Sequence, residues 1–261
     1  MSALPEWLST RPVAHRGLHS VPAGADAPGG GIPENTLAAF DAAVEAGFPI
    51  ELDVQLSADD QAVVFHDRDL LRLCGSPEPV RTLRVDQLRE HRVAGTDQHP
   101  PSLAETLEFI AGRVPVLVEI KTGPQRNLRA SATAAALGDY SGELAVQSFD
   151  PFIVAWFRRN SPLTLRGQLS GSLADAGGLN PLSRAVMRNL GFNAVSRPHF
   201  VGYEFEFLSE VRARLITRRW PLLVWTITSQ ADMDRVHQLG GNVIFEGFSP
   251  ASREEAGRTA R

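Results

Sequence analysis

Short aliphatic runs alternate with segments of helical period along most of the chain. A first strand is expected near residues 11–14, in RPVAHRG. A helix follows at about 34–46, where Leu37, Phe40 and Val44 recur on one face and Gly47 offers a stop. The run PIELDVQL predicts a second strand at about 49–56. ADDQ reads as a tight turn into an extended segment at about 62–66. Ser102 and Glu105 form an S-x-x-E capping box ahead of the stripe Leu103, Leu107 and Ile110. VPVLVEIK, at 114–121, suits a strand buried on both faces of a parallel sheet. Further strands are expected at 143–149, 163–169, 192–197, 222–228 and 242–245. A helix at 231–239 carries Ser229 and Asp232 in cap-like positions and Met233, Val236 and Leu239 on one stripe.

This alternation predicts an α/β fold. Counting 62–66 as an extension of the second unit gives eight parallel strands, as a (β/α)8 barrel requires. A doubly wound open sheet also alternates, but no G-x-G-x-x-G follows the first strand. No shift in composition demands a second domain, so residues 1–261 are expected to form a single barrel domain. Two stretches escape the pattern. Residues 67–101 are mixed and suggest a small inserted cap segment, and the Gly-rich loop at 20–32 is expected to be mobile. The C-terminal run ASREEAGRTAR reads as a frayed helix or a tail.

Composition narrows the function. The chain has 261 residues, 43% hydrophobic and 21% charged, which suits a globular protein with a sizeable core. A net charge of −4 provides no basic field, so no nucleic-acid partner is expected. No apolar run approaches the ~20 residues that span a bilayer. The single cysteine, Cys74, allows no intrachain disulfide, and the N-terminus lacks a signal-like pattern. A cytoplasmic location is therefore expected.

Chemistry gathers at strand ends. Glu51 and Asp53 lie two apart on one strand, so both leave the same face, while Leu52 and Val54 point to the helix layer. Glu119 and Lys121 repeat that spacing on the next strand. Three carboxylates beside a lysine suit Mg²⁺ or Ca²⁺; a structural ion-pair network with Lys121 is the other reading. His15 and His66 each end an extended segment beside a charged residue, Arg16 or Asp67. Such histidines serve as an acid–base pair or as ordinary structural groups. Arg16 suits a phosphate clamp. Glu34 and Asn35 could simply open a helix. Phe149 and Trp225 either fill the barrel or wall the organic part of a substrate. His19, His91, His99 and His237 read as surface residues, and His199 as ambiguous at the end of the 192–197 strand. No G-x-S-x-G or H-E-x-x-H is present, against a serine hydrolase or a zincin.

The ordered set HRG (15–17), PENT (33–36), ELD (51–53), HD (66–67), PSLAETL (101–107), EIK (119–121), QSF (147–149) and WT (225–226) resembles the glycerophosphodiester phosphodiesterases over nearly the whole chain. The resemblance implies a TIM barrel of the PLC-like phosphodiesterase type. It implies metal-dependent hydrolysis of glycerophosphodiesters to glycerol 3-phosphate and an alcohol. It further implies that Glu51, Asp53 and Glu119 hold one divalent cation and that His15 and His66 are the acid–base pair. Arg16 and Lys121 would contact phosphate, Glu34 and Asn35 would shape the site, and Phe149 and Trp225 would line the pocket. The implied route runs through a cyclic phosphate that water opens; direct attack by water stays open. A lysophospholipase D acting on lysolipids and a non-catalytic phosphate-binding barrel are the alternatives. The chain departs from the family in carrying Glu246 where an Asp is usual, Thr228 where an Asn is usual, and a longer loop after His15. These changes are expected at the rim, bearing on substrate choice.

Overall fold

Alternation within the strands sorts side chains to two sides of a closed ring. The protein is described here by a computed structural model covering residues 4–20, 31–172 and 181–251. The strands are β1 (Val13–Ala14), β2 (Ile50–Leu56), β3 (Ala62–Val64), β4 (Val116–Ile120), β5 (Leu144–Ser148), β6 (Leu165–Ser170), β7 (Phe200–Glu204), β8 (Leu222–Ile227) and β9 (Asn242–Phe245). They run in the order β1-β9-β8-β7-β6-β5-β4-β2, and β1 pairs again with β2 to close the barrel. All these pairs are parallel. β3 lies outside the ring, antiparallel to β2, as the 62–66 extension of the second unit suggests.

Outward residues such as Ile50, Leu52, Val54, Val116, Val118 and Ile120 pack under the helices in the main core. Inward residues form a separate apolar layer of Val13, Leu117, Ala145, Phe200, Leu223 and Ile244, closed from below by Trp7 and Leu8 of the helix Glu6–Thr10. The Asn242 amide anchors that plug by donating to the Leu8 and Arg11 carbonyls. Two residues further along five of these strands, the inward positions become His15, Glu119, Gln147, Trp225 and Glu246, with Gly202 on β7. The period of two therefore sets a polar layer directly above an apolar floor.

Several expectations need correction. Residues 192–197 are not a strand. Asn193–Ser196 is a helical turn that ends at Arg197, in the left-handed region at φ 43°, followed by Pro198. The strand lies further on, at Phe200–Glu204, so His199 precedes a strand instead of ending one. There its Nδ1 accepts the Arg166 N–H. The second helix begins at Leu37, not near residue 34, because the Thr36 hydroxyl caps it by accepting the Ala39 N–H. That frees Glu34 and Asn35 from the helix. The Ser102–Glu105 capping box opens Leu103–Ile110 as expected.

Residues 67–101 form short turns, Leu71–Cys74, Val80–Thr82, Val85–Leu88 and Val93–Gly95. They share a small core of their own with Val63 and Phe65. Most of the Gly-rich 20–32 loop and all but Ala251 of the C-terminal run lie outside the described residues. Among the described residues no helix is long and apolar enough to cross a membrane.

Candidate active site

The turn after β1 places the first site residues. Arg16 and Gly17 are both left-handed, at φ 55° and 79°. This pair turns the Arg16 N–H onto Glu51 Oε2 at 3.1 Å. A Cβ on Gly17 would lie 2.8 Å from the Ala39 backbone. Gly17→Ala should therefore destabilise the fold by about 1–3 kcal/mol, seen as a lower Tm; an unchanged Tm would show that this turn tolerates a side chain. Asn35 is also left-handed, at φ 55°. Its amide donates to Asp53 Oδ2 at 2.9 Å, and its carbonyl accepts the Asp53 N–H at 3.2 Å.

Glu51 and Asp53 project from β2, and strand register sets Glu119 of β4 beside Asp53. The three carboxylates are buried, with ligand atoms within 4.8 Å of one another. Two cations answer them. Lys121 Nζ lies 2.8 Å from Asp53 and 2.7 Å from Glu119. Arg16 lies 3.2 Å from Asp53 and 2.7 Å from Glu34. Burial opposes charge on Asp53, but Lys121, His66 and Arg16 outweigh it and hold its pKa well below the usual carboxylate range. Glu51 goes the other way. Burial, then repulsion from Asp53 and Glu119, pushes its pKa well up.

Each histidine is held from behind by a carboxylate. His15 Nδ1 lies 2.6 Å from Glu246 Oε2, and His66 Nδ1 lies 2.6 Å from Asp67 Oδ1. A carboxylate only accepts, so each Nδ1 carries the proton and each Nε2 is the nitrogen left free of that contact. His15 Nε2 lies 4.0 Å from Glu51 Oε2. Burial, reinforced by Arg16, lowers the His15 pKa. Arg72 grips Asp67 with Nε at 2.6 Å and reaches Glu34 through both terminal nitrogens at 2.9 and 2.8 Å. Burial opposes charge on Asp67, but hydrogen bonds from His66 and Arg72 keep its pKa low.

His15, Arg16, Glu51, His66, Glu119, Lys121, Phe149 and Trp225 all line one cavity of about 610 Å³. Glu34, Asn35 and Asp53 stand behind this wall. Reading from spacing alone missed Arg72, Gln147 and Glu204; Glu246, expected at the rim from the family resemblance, lies against His15. His19 is also corrected: its side chain is only 11% exposed and lies 3.6 Å from Glu246. His91, His99 and His237 are half-buried and do not line this cavity.

The model of the glycerophosphoryl diester phosphodiesterase family matches residues 15–246, a span that runs from His15 to Glu246. The chain belongs to that family. It is 31% identical over 246 residues to YhdW of Bacillus subtilis (strain 168), which carries the provisional name of a glycerophosphodiester phosphodiesterase; the match covers 90% of this chain and 93% of that one. A phosphodiesterase of Oleispira antarctica, solved with its product sn-glycerol-3-phosphate, superposes with a TM-score of 0.72 at 20% identity, over 90% of this chain and 92% of that one. A glycerophosphodiester phosphodiesterase of Parabacteroides distasonis superposes with a TM-score of 0.73 at 18% identity, over 97% and 99%. These two likenesses establish the TIM-barrel fold, and family membership establishes the enzyme class. The protein is a phosphoric diester hydrolase of the glycerophosphodiester phosphodiesterase kind.

Proposed function

We propose that this phosphodiesterase cleaves glycerophosphodiesters to glycerol 3-phosphate and an alcohol with one divalent cation and a His15–His66 acid–base pair. The observation that carries the reading is a buried carboxylate triad, two of whose members, Glu51 and Glu119, line the same cavity as two carboxylate-backed histidines. The residues fit a cation. Three acids meet two basic side chains, and burial, then repulsion from Asp53 and Glu119, raises the Glu51 pKa despite Lys121 and Arg16. An all-oxygen donor set of Glu51, Asp53 and Glu119 suits Mg²⁺ or Ca²⁺. Bound there, the ion would offset charge developing on the phosphoryl oxygens.

The chain's own groups do the rest. Arg16 and Lys121 line the cavity with donors for the phosphate oxygens, held in place by Glu34, Asp53 and Glu119. Asn35 fixes the Asp53 carboxylate. His15, kept neutral by its lowered pKa, takes the proton from the attacking hydroxyl through Nε2. That hydroxyl is the neighbouring glycerol oxygen, with water opening the cyclic phosphate afterwards, or water itself; both routes use the same base. His66 gives a proton to the leaving alcohol oxygen. Phe149 and Trp225 face the organic part of the substrate. Residues 67–101 act as a small cap whose Arg72 joins the His66–Asp67 pair to Glu34.

Product release from a panel of water-soluble glycerophosphodiesters, with Mg²⁺, Ca²⁺ or EDTA, tests this reading. Glycerol 3-phosphate should appear, vanish in EDTA and return with one ion. Release undiminished by EDTA would remove the cation, and tight binding without product would remove the hydrolase reading. Lysolipids belong in the same panel. A lysophospholipase D of Rattus norvegicus is 24% identical over 85% of this chain and 81% of its own. Turnover confined to lysolipids would transfer the assignment to that activity.

A further inference from the structure

The cavity has two unlike halves. Strands β1, β2 and β4 and the chain after β3 bring its cations, Arg16, Arg68 and Lys121, together with Glu51, Glu119 and both histidines. The other half is different. Phe149 follows β5, Glu204 ends β7 and Trp225 lies on β8. In the closed ring β7 stands four strands from β2 in either direction, so Glu204 lies across the barrel mouth from the triad.

The Phe149 and Trp225 rings meet edge to face, 5.6 Å apart at 89°. Both are only partly buried, and both face the cavity. Strand register sets Glu204 beside Trp225. The Glu204 carboxylate is fixed, because its Oε2 accepts the Ser172 N–H at 2.6 Å. Yet no lysine, arginine or histidine among the described residues forms an ion pair with it. Two of the cavity's cations are engaged elsewhere, Lys121 with Asp53 and Glu119, and Arg16 with Glu34 and Asp53, and Arg68 follows β3 in the other half. An oriented carboxylate without a cation, beside two aromatic rings and opposite the phosphate-binding half, is a receptor for positive charge.

We propose that Glu204, Trp225 and Phe149 form the subsite for the alcohol half of the diester and select an ammonium alcohol. This rests on the phosphodiesterase reading above. A cationic head gains from the carboxylate and from the ring faces together. A neutral head of the same shape fills the space but leaves the carboxylate desolvated and unpaired. An anionic head is repelled. If Glu204 served only to hold the Ser172 backbone, the enzyme would be indifferent to this charge.

Glycerophosphocholine and its 3,3-dimethylbutyl isostere differ only in a quaternary nitrogen replaced by carbon. The wild-type enzyme should favour the choline diester in kcat/KM by about ten-fold or more. In Glu204→Gln, which keeps an acceptor for the Ser172 N–H, the ratio should fall to near one. A wild-type ratio near one, or a ratio that survives in Glu204→Gln, overturns the proposal. If neither diester is cleaved, the hydrolase reading fails by itself. Calorimetric titration of the wild-type protein with the same two compounds then decides the subsite: tighter binding of the choline diester supports it, and equal affinity overturns it.

Discussion

His66→Ala is expected to lower kcat by ~10²- to 10⁴-fold while leaving divalent-ion affinity near that of the wild type. The imidazole lines the cavity, its Nδ1 engaged by Asp67. It is not among the acids that gather as a cation site, so its removal should separate proton transfer from metal binding. Steady-state product release and an ion titration followed by calorimetry check the two halves. Turnover within ten-fold of the wild type would remove His66 from the proton transfers, whatever the ion affinity. His15→Ala should show a comparable loss. The wild-type pH profile adds a signed test, since a base works only when neutral and activity must rise through its pKa. Burial and Arg16 lower that pKa below the ordinary 6.5 of His15. The ascending limb of kcat/KM should therefore lie on the acid side of that value, and a limb clearly above it would take the base role from His15.

Much of this arrangement was legible in the sequence, because strand period and barrel geometry act together. Glu51 and Asp53 share a face by spacing alone, and the structure adds Glu119 through the register between β2 and β4. The same rule could have found Glu246. It lies two residues beyond Ile244, which fills the barrel floor, as His15 lies two beyond Val13 and Glu119 two beyond Leu117. Arg72 is different. It sits in a short turn within an irregular segment and meets Glu34, 38 residues away, and no local period announces such a contact. The misplaced strand has a local cause. Phe192, Ala194 and Val195 look extended by composition, but Arg197 and Pro198 terminate a helical turn there. The true strand, FVGYE, contains a glycine and ends on a glutamate, which weakens its apolar signature. Glu204 was lost with that strand.

Glu51→Gln should have opposite effects on activity and on the stability of the metal-free protein. Removing a carboxylate donor should cut kcat/KM by at least ~10²-fold. In EDTA, however, the same change should raise Tm by ~2–4 °C. The reason lies in the apo site: burial and repulsion from Asp53 and Glu119 raise the Glu51 pKa in the folded state. Between the ordinary carboxylate value of 4.5 and that raised value, the folded chain holds a proton that the unfolded chain releases. Wild-type stability must then fall as pH rises through this window, while the glutamine protein lacks the contribution. Its advantage in EDTA should be small below pH 4.5 and grow above it. Asp53, whose pKa is depressed, shifts stability the other way but is present in both proteins. Saturating Mg²⁺ or Ca²⁺ should restore the order, because the ion binds the folded wild type more tightly and stabilises it by mass action. The comparison separates a cation site from a self-sufficient ion-pair network. Were Glu51 already balanced by Arg16 and Lys121, its replacement would lower Tm in EDTA above pH 4.5, where the carboxylate is ionised, and added metal would change nothing.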